Sequence, residues 1–228
     1  MKAFLLAAGL GTRLRPITDT VPKCMVEIKG KPLLGHWLDM ISASDEIEQI
    51  FVNTHYLAEQ VETFIAKSSY ADNVNLIHEK ELMGTAGTLY HHRERFLTCP
   101  LMLIHADNYS VFDMAAFIRS HRERPADCPI TMMTFRTDTP KSCGIVRVNH
   151  CGVVTDFFEK VDNPPDNLAN GAVYIIEPEV VNALDKGVFD FSTQVLPGYM
   201  NRIFTFENTT YHRDIGTPES YEKARAFL

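Results

Sequence analysis

Three cations, Arg13, Arg15 and Lys23, share residues 9–23 with one acid, Asp19, and with Gly9 and Gly11. The whole chain runs the other way, with 22 basic against 29 acidic residues and a net charge of −7 over 228 residues. A local surplus of cations against that trend suits a polyphosphate. Glycines let backbone N–H groups approach an anion with no Cβ in the way. Arginine grips phosphate oxygens with a fork, and lysine supplies a point charge. The competing assignment is a surface loop, outside the core, whose basic residues are solvated. The pattern GxxxxGK[ST] is absent, and GxGxxG fails at its third glycine, where Leu14 stands. What remains is GxGTRLxP followed by Pro22 and Lys23.

Two aspartates follow strand-like runs: Asp107 after "PLMLIHA" and Asp214 after "YHR". A carboxylate at a strand's carboxy end can meet a ligand at the sheet edge, and Mg²⁺ prefers carboxylate oxygens. Either aspartate could equally cap the helix that comes next. "LMGTAGTL" opens a helix with small residues, which suits close packing of helix on sheet. Glu159–Lys160 in a strand is ordinarily a solvated pair.

Other chemistries find little support. An acidic chain does not hold nucleic acid by neutralising its phosphates. The nine histidines form no HxxxH or HxH set, so no zinc is assigned. The five cysteines, at 24, 99, 128, 143 and 151, form no CxxC pair, which fits reduced thiols in a cytoplasmic protein. No apolar run approaches the roughly 18 residues of a membrane span. The opening "AFLLAAGL" is read as a buried strand rather than a signal peptide, because basic residues and Pro16 follow at once.

The elements that must position these residues alternate at first. Strands are expected over 2–8, "IEQIFVNT", "VNLIHE" and "PLMLIHAD". Helices are expected over "LLGHWLDMIS" after Pro32, "LAEQVETFIAKS", residues 84–96 and "FDMAAFIRSHRE". Continuous apolar strands alternating with amphipathic helices argue for a parallel sheet flanked by helices. After residue 125 the rhythm turns to strands: "ITMMTFRT", "GIVRVN", "GVVTDFFEK" and "GAVYIIE", with a hairpin turn at "NHCG". Two short helices (178–184 and 192–199), two late strands ("IFTFEN", "TYHRDI") and a closing helix complete the chain. No Gly/Ser linker divides it, so one α/β domain over 1–228 is expected, in two halves of about 1–125 and 126–228.

"LAAGLGTRLRPITDTVPKCMVEIKGKPLL" resembles the signature of the sugar-1-phosphate nucleotidylyltransferases. "GTAG" at 84–87, Asp107, "CGIV" at 143–146, "FFEK" at 157–160, "NGAVY" at 170–174 and "DIGTPESY" at 214–221 follow in the family order. The resemblance implies a Rossmann-like, mainly parallel mixed sheet with a smaller β-rich sugar-binding lobe. It implies transfer of a nucleotidyl group from a nucleoside triphosphate to a sugar-1-phosphate, with release of pyrophosphate. Leu6, Ala8, Gly9, Gly11, Thr12, Arg13, Gly84, Thr85 and Gly87 would hold the nucleotide. Asn108, Gly144, Glu159, Lys160 and Asn170 would hold the sugar phosphate. Arg13, Lys23 and Asp107 would be catalytic, and Asp107 with Asp214 would bind Mg²⁺. "GTAG" looks closest to guanylyltransferases acting on mannose-like hexose or heptose phosphates, which favours GTP. Uridylyl, cytidylyl or thymidylyl transfer, a phospho-alcohol acceptor and a non-catalytic nucleotide-sugar sensor are the alternatives, and relatives of this kind often form homodimers. One departure stands out: relatives often carry Asn-Ala-Gly where Asn170-Gly171-Ala172 stands here.

Overall fold

A computed structural model describes residues 1–227. The chain opens with β1 (Lys2–Leu6), whose Ala3, Phe4 and Leu5 are fully buried. A loop of three single 3-10 turns follows, and then a small antiparallel hairpin, β2 (Glu27–Ile28) with β3 (Lys31–Pro32). Helix α1 (Leu33–Ser42) starts directly after Pro32 and buries Leu33, Leu34, Trp37, Leu38 and Ile41 along one face. Next come β4 (Gln49–Thr54), α2 (Ala58–Ala66), β5 (Val74–His78) and α3 (Gly84–His91). β6 (Leu101–His105) runs into β7 (Asn108–Val111), and α4 (Met114–Glu123) follows. The later strands are β8 (Ile130–Arg136), β9 (Gly144–Val148), β10 (Val154–Glu159) and β11 (Leu168–Ile176). Helix α5 (Pro178–Asn182), strands β12 (Ile203–Glu207) and β13 (Tyr211–Asp214), and helix α6 (Pro218–Arg225) close the described chain.

Contacts divide the chain into two compact units. The first takes Met1–Leu82, Ile104–Val111 and the chain from Tyr211 onward; the second takes Met83–Leu103 and Phe112–Thr210. In the first unit β1, β4 and β5 are parallel neighbours, as buried apolar strands joined through helices should be. In the second, β11 is antiparallel to β8 and β9, and β9 to β10. β12 joins β8 in parallel. The expected α/β fold, parallel early and β-rich late, is therefore present. The hairpin turn at 149–152 is also present, with Gly152 at φ +75° and its N–H on the Asn149 carbonyl.

Two expectations need correction. The loop after β1 is not outside the core: Leu14 and Cys24 are buried, and Ile17 and Val21 pack against the cluster of Leu14, Val26, Ile28, Leu33, Tyr109 and Ile215. Its apolar residues close over the first unit while its glycines and arginines stay outside. The helix expected over 192–199 is a π-helical turn (Phe191–Val195) running into a 3-10 turn (Leu196–Tyr199), since Pro197 has no N–H to continue an α-helix.

Candidate active site

The first unit gathers the cationic loop and the two aspartates. β7 and β13 pair antiparallel, with Asp214 opposite Asn108 and His212 opposite Ser110. That register sets Asp107, one residue before β7, beside Asp214 at the end of β13. His212 Nδ1 and Ser110 Oγ share a buried hydrogen bond across the ribbon. Trp37 Nε1 donates to the Asn108 carbonyl at 2.9 Å, tying α1 to the ribbon. Asn108 itself is buried.

Lys23 is buried between the two carboxylates. Its Nζ donates to Asp107 Oδ2 at 2.6 Å and to Asp214 Oδ1 at 3.0 Å. Burial opposes the ammonium charge, but the two carboxylates outweigh it and hold the Lys23 pKa above its ordinary value. Burial likewise pushes the Asp107 carboxyl up, and the Lys23 charge, with His105 and the hydrogen bonds, more than reverses that, so it stays ionised. Behind them, burial raises the Cys24 thiol to about 12, leaving it inert.

Neither aspartate caps a helix. Helix α4 is capped by Asp113, whose side chain accepts from the Ala116 N–H. Helix α6 is capped by Thr217 in a capping box with Ser220. The structural alternative weighed for Asp107 and Asp214 is thereby removed.

Of the two loop glycines, Gly11 is the one held in a fixed turn. Gly11 has φ +64°, and a Cβ there would stand 2.9 Å from Thr18 Cγ2. Thr18 Oγ1 donates to the Gly11 carbonyl at 2.7 Å and fixes the turn. Gly9 has open space where a Cβ would be. Leu6 and Ala8 are buried at the strand end, and Thr12 opens the 3-10 turn that carries Arg13. The Arg13 guanidinium is exposed and 3.6 Å from Asp214 Oδ2. Arg15 turns away and pairs with Asp19 on the surface at 3.1 Å.

The second unit holds the remaining candidates in two places. At the start of α3, the Phe189 carbonyl accepts from the Ala86 N–H at 3.0 Å and the Gly87 N–H at 3.4 Å. A Cβ on Gly84 would collide with that carbonyl, and one on Gly87 would meet the Val188 carbonyl at 3.0 Å. These glycines admit a crossing backbone. Thr85 Oγ1 accepts from the Phe191 N–H at 2.8 Å. The Phe191 ring packs on Tyr174, whose hydroxyl accepts from Asn170 Nδ2 at 2.7 Å. Thr85 and Asn170 are thus joined through Phe191 and Tyr174. Elsewhere in the unit, Gly144 pairs with Glu159 in register, and a Cβ on Gly144 would meet the Glu159 carboxylate at 2.7 Å. Lys160, at φ 49°, pairs with Glu159 at 3.1 Å.

Residues 2–228 match the family model described as nucleotidyl transferase. The chain belongs to the nucleotidyl transferase family. A mannose-1-phosphate guanylyltransferase of Mycobacterium tuberculosis is 29% identical, covering 99% of this chain and 64% of that protein. A UTP–glucose-1-phosphate uridylyltransferase of Synechocystis is 30% identical, covering 86% of this chain and 54% of that protein. The crystal structure of HddC from Yersinia pseudotuberculosis complexed with GMP-PN is 26% identical with a TM-score of 0.81, covering 98% of this chain and 97% of that one. The chain therefore spans between 54% and 64% of the length of these two curated relatives.

Several residues around these candidates escaped the sequence reading. A Cβ on Gly216 would lie 2.6 Å from Asp214 Oδ2 and 3.1 Å from Arg13 Nη2, so a side chain there would push the ends of that pair aside. Thr18, Tyr174 and Phe191 are internal supports, and nothing in residue type alone announces them.

The departure at Ala172 has a backbone consequence. Ala172 sits at φ 52° in the irregular stretch of β11, its N–H on Asn170 Oδ1 at 2.9 Å. The left-handed conformation costs a Cβ-bearing residue roughly 1–2 kcal/mol. Glycine escapes that cost but gives back about 0.4–1 kcal/mol through the unfolded chain. Ala172→Gly is therefore expected to gain up to about 1 kcal/mol in urea unfolding. A loss of stability would show that the Ala172 methyl is held by packing.

Proposed function

We propose that the chain transfers a nucleotidyl group from a nucleoside triphosphate, GTP favoured, to the phosphate of a mannose-like hexose- or heptose-1-phosphate. The observation that carries this is the Lys23–Asp107–Asp214 cluster beside the Gly9–Arg13 loop, within a chain of the nucleotidyl transferase family. In this reading residues 1–228 act as one catalytic domain. The Gly9–Arg13 loop, Lys23, Asp107 and Asp214 are assigned to the triphosphate and metal, and Gly84, Thr85, Gly87, Gly144, Glu159, Lys160 and Asn170 to the base and sugar.

A sugar-phosphate oxygen attacks the α-phosphorus, the bond to the β-phosphate oxygen breaks, and pyrophosphate leaves. The attacking phosphate is already ionised near pH 7, so no general base is required. The work is positioning and charge neutralisation. The loop N–H groups and Arg13 hold the triphosphate, and Lys23 stabilises charge where the two phosphates meet. Mg²⁺ fits Asp107 and Asp214, because two hard carboxylate oxygens already face one cation, the Lys23 ammonium. No cluster of three or more His, Cys, Asp or Glu side chains forms a metal site among the described residues, so the phosphates would complete the shell. Bound there, Mg²⁺ would neutralise phosphate charge.

Among the described residues no helix is long and apolar enough to cross a membrane. All five cysteines are free thiols, which supports a cytoplasmic setting.

The direct test is pyrophosphate release from the four ribonucleoside triphosphates and dTTP against a panel of sugar-1-phosphates. GTP with a mannose-configured acceptor is expected to lead. The support is the mannose-1-phosphate guanylyltransferase relative and the GMP-PN complex of HddC. A tenfold preference in kcat/KM for UTP, CTP or dTTP, about 1.4 kcal/mol, would reject the guanylyl assignment. A uridylyl preference is the second reading, favoured by the Synechocystis relative.

A further inference from the structure

A second chain of buried polar groups runs beneath the phosphate loop, all of it within the first unit. The Ala7 N–H, the first amide after β1, donates to Asn53 Oδ1 at 2.6 Å. Asn53 Nδ2 in turn donates to Glu79 Oε1 at 2.7 Å. Asn53 and Glu79 are 3% and 2% exposed. Asn53 is the last residue but one of β4 and Glu79 follows β5, so the bonds cross the carboxy ends of three adjacent parallel strands. The orientation of the Asn53 amide is set by chemistry. The Ala7 N–H can only donate, so it takes Asn53 Oδ1 and turns Nδ2 toward the Glu79 carboxyl. Backbone bonds hold Glu79 as well: its N–H donates to the Thr54 carbonyl at 2.8 Å, and its carbonyl lies 2.8 Å from His55 Nδ1. A buried carboxylate and a buried amide are costly unless their partners are fixed, so such a chain tolerates little displacement.

The geometry points to Asn53 and Glu79 as positioning residues for the phosphate loop: their buried bonds fix the amide at which residues 8–13 leave β1. Two residues beyond Ala7 stands Gly9, and the loop's N–H groups can grip phosphate only if that exit point is held. A brace of this kind sets triphosphate affinity without touching the triphosphate. The inference rests on the phosphate-loop assignment made above.

The test exchanges the charge between the two positions. Asn53→Asp keeps an acceptor for the Ala7 N–H but sets a second carboxylate against Glu79. The double variant Asn53→Asp with Glu79→Gln restores both bonds, because the new amide at position 79 can donate to the new carboxylate at position 53, and it keeps the net charge. The probe is tripolyphosphate with Mg²⁺, followed by calorimetry on the full chain. It carries no base, so any contact of Glu79 with a nucleobase drops out. Asn53→Asp is expected to bind at least tenfold more weakly than the unaltered protein, Glu79→Gln to lose less, and the double variant to recover to within about threefold. In turnover assays the KM for the triphosphate should follow the same order, with the KM for the sugar phosphate unmoved. If Asn53→Asp does not fold, Asn53→Ala takes its place, since it removes both bonds without adding charge. Its affinity should fall as far. Equal affinity in the unaltered protein and the single Asn53 variants, or a double variant no better than Asn53→Asp, would overturn the brace alone. Failure of the unaltered protein to bind tripolyphosphate would overturn the phosphate-loop assignment and the brace with it.

Discussion

Asp107→Asn and Asp214→Asn are each expected to lower kcat/KM by roughly 10²-fold or more at low Mg²⁺, and the double variant should be little worse than the poorer single. Both carboxylates meet at one Lys23 ammonium, 2.6 and 3.0 Å from it, so each substitution disturbs the same device. Groups that act as a unit lose function without additivity. Non-additivity alone does not separate a shared lysine from a shared metal, because either one couples the two aspartates. The metal titration does. If the pair holds Mg²⁺, excess Mg²⁺ or Mn²⁺ should partly rescue each single variant, and EDTA should silence the unaltered enzyme until Mg²⁺ is restored. Full activity in EDTA would remove the metal from the mechanism. Strictly additive losses would remove the shared device altogether, and helix capping would not be available as a fallback, since Asp113 and Thr217 hold those positions.

Lys23→Met should lower kcat by roughly 10²-fold or more, the scale of removing one electrostatic donor from a transition state. The burial of Lys23 adds a cost in stability that a solvated loop lysine would not carry. Methionine keeps the aliphatic length but removes the ammonium that Asp107 and Asp214 share, leaving Asp214 only the exposed Arg13 guanidinium 3.6 Å away. Breaking a fully buried pair costs about 3–5 kcal/mol. Here the carboxylate side chains are 34% and 49% exposed, so water screens them and the loss should stay well below that range. Thermal unfolding beside saturating kinetics separates the two effects. A folded Lys23→Met enzyme retaining more than about a third of the original kcat would show that Lys23 serves the fold and not the reaction.

Much of this architecture was legible because it rests on short-range rules. Pro32 followed by an apolar stripe gives α1 over Leu33–Ser42 as expected. Period-two and continuous apolar runs give β8 to β12. The glycines and cations after β1 pointed to Lys23, and strand-end position pointed to Asp107. What stayed hidden depends on pairing at long range. The four-residue ribbon of β7 and β13 joins segments about a hundred residues apart, and no local pattern in "NYSV" marks it as a strand. Without that ribbon, the side-by-side placement of Asp107 and Asp214 could be reached only through a family likeness. The third helix ends at His91 rather than Phe96, because Arg93–Arg95 tighten into a 3-10 turn. The burial of Lys23 was unreadable for the same reason: a lysine in a Pro-flanked loop looks solvated until its two carboxylates arrive from elsewhere. Asn53 and Glu79 looked like ordinary ends of strands.

That distance also sets when the Lys23 cluster can first form during synthesis of the chain. Lys23 and Asp214 lie 191 positions apart, and the strand that carries Asp214 is the last of the described chain. At about 5–20 residues per second, a ribosome needs on the order of ten seconds or more to bridge that interval. Once His78 has been added the parallel strands β1, β4 and β5 are all made, while Lys23 still has at most one of its two partners. The Lys23–Asp107–Asp214 cluster on which the proposed reaction rests cannot be complete before Asp214 has been added. Closing so long a loop is also slow in refolding from denaturant, so recovery of turnover should trail recovery of helical signal.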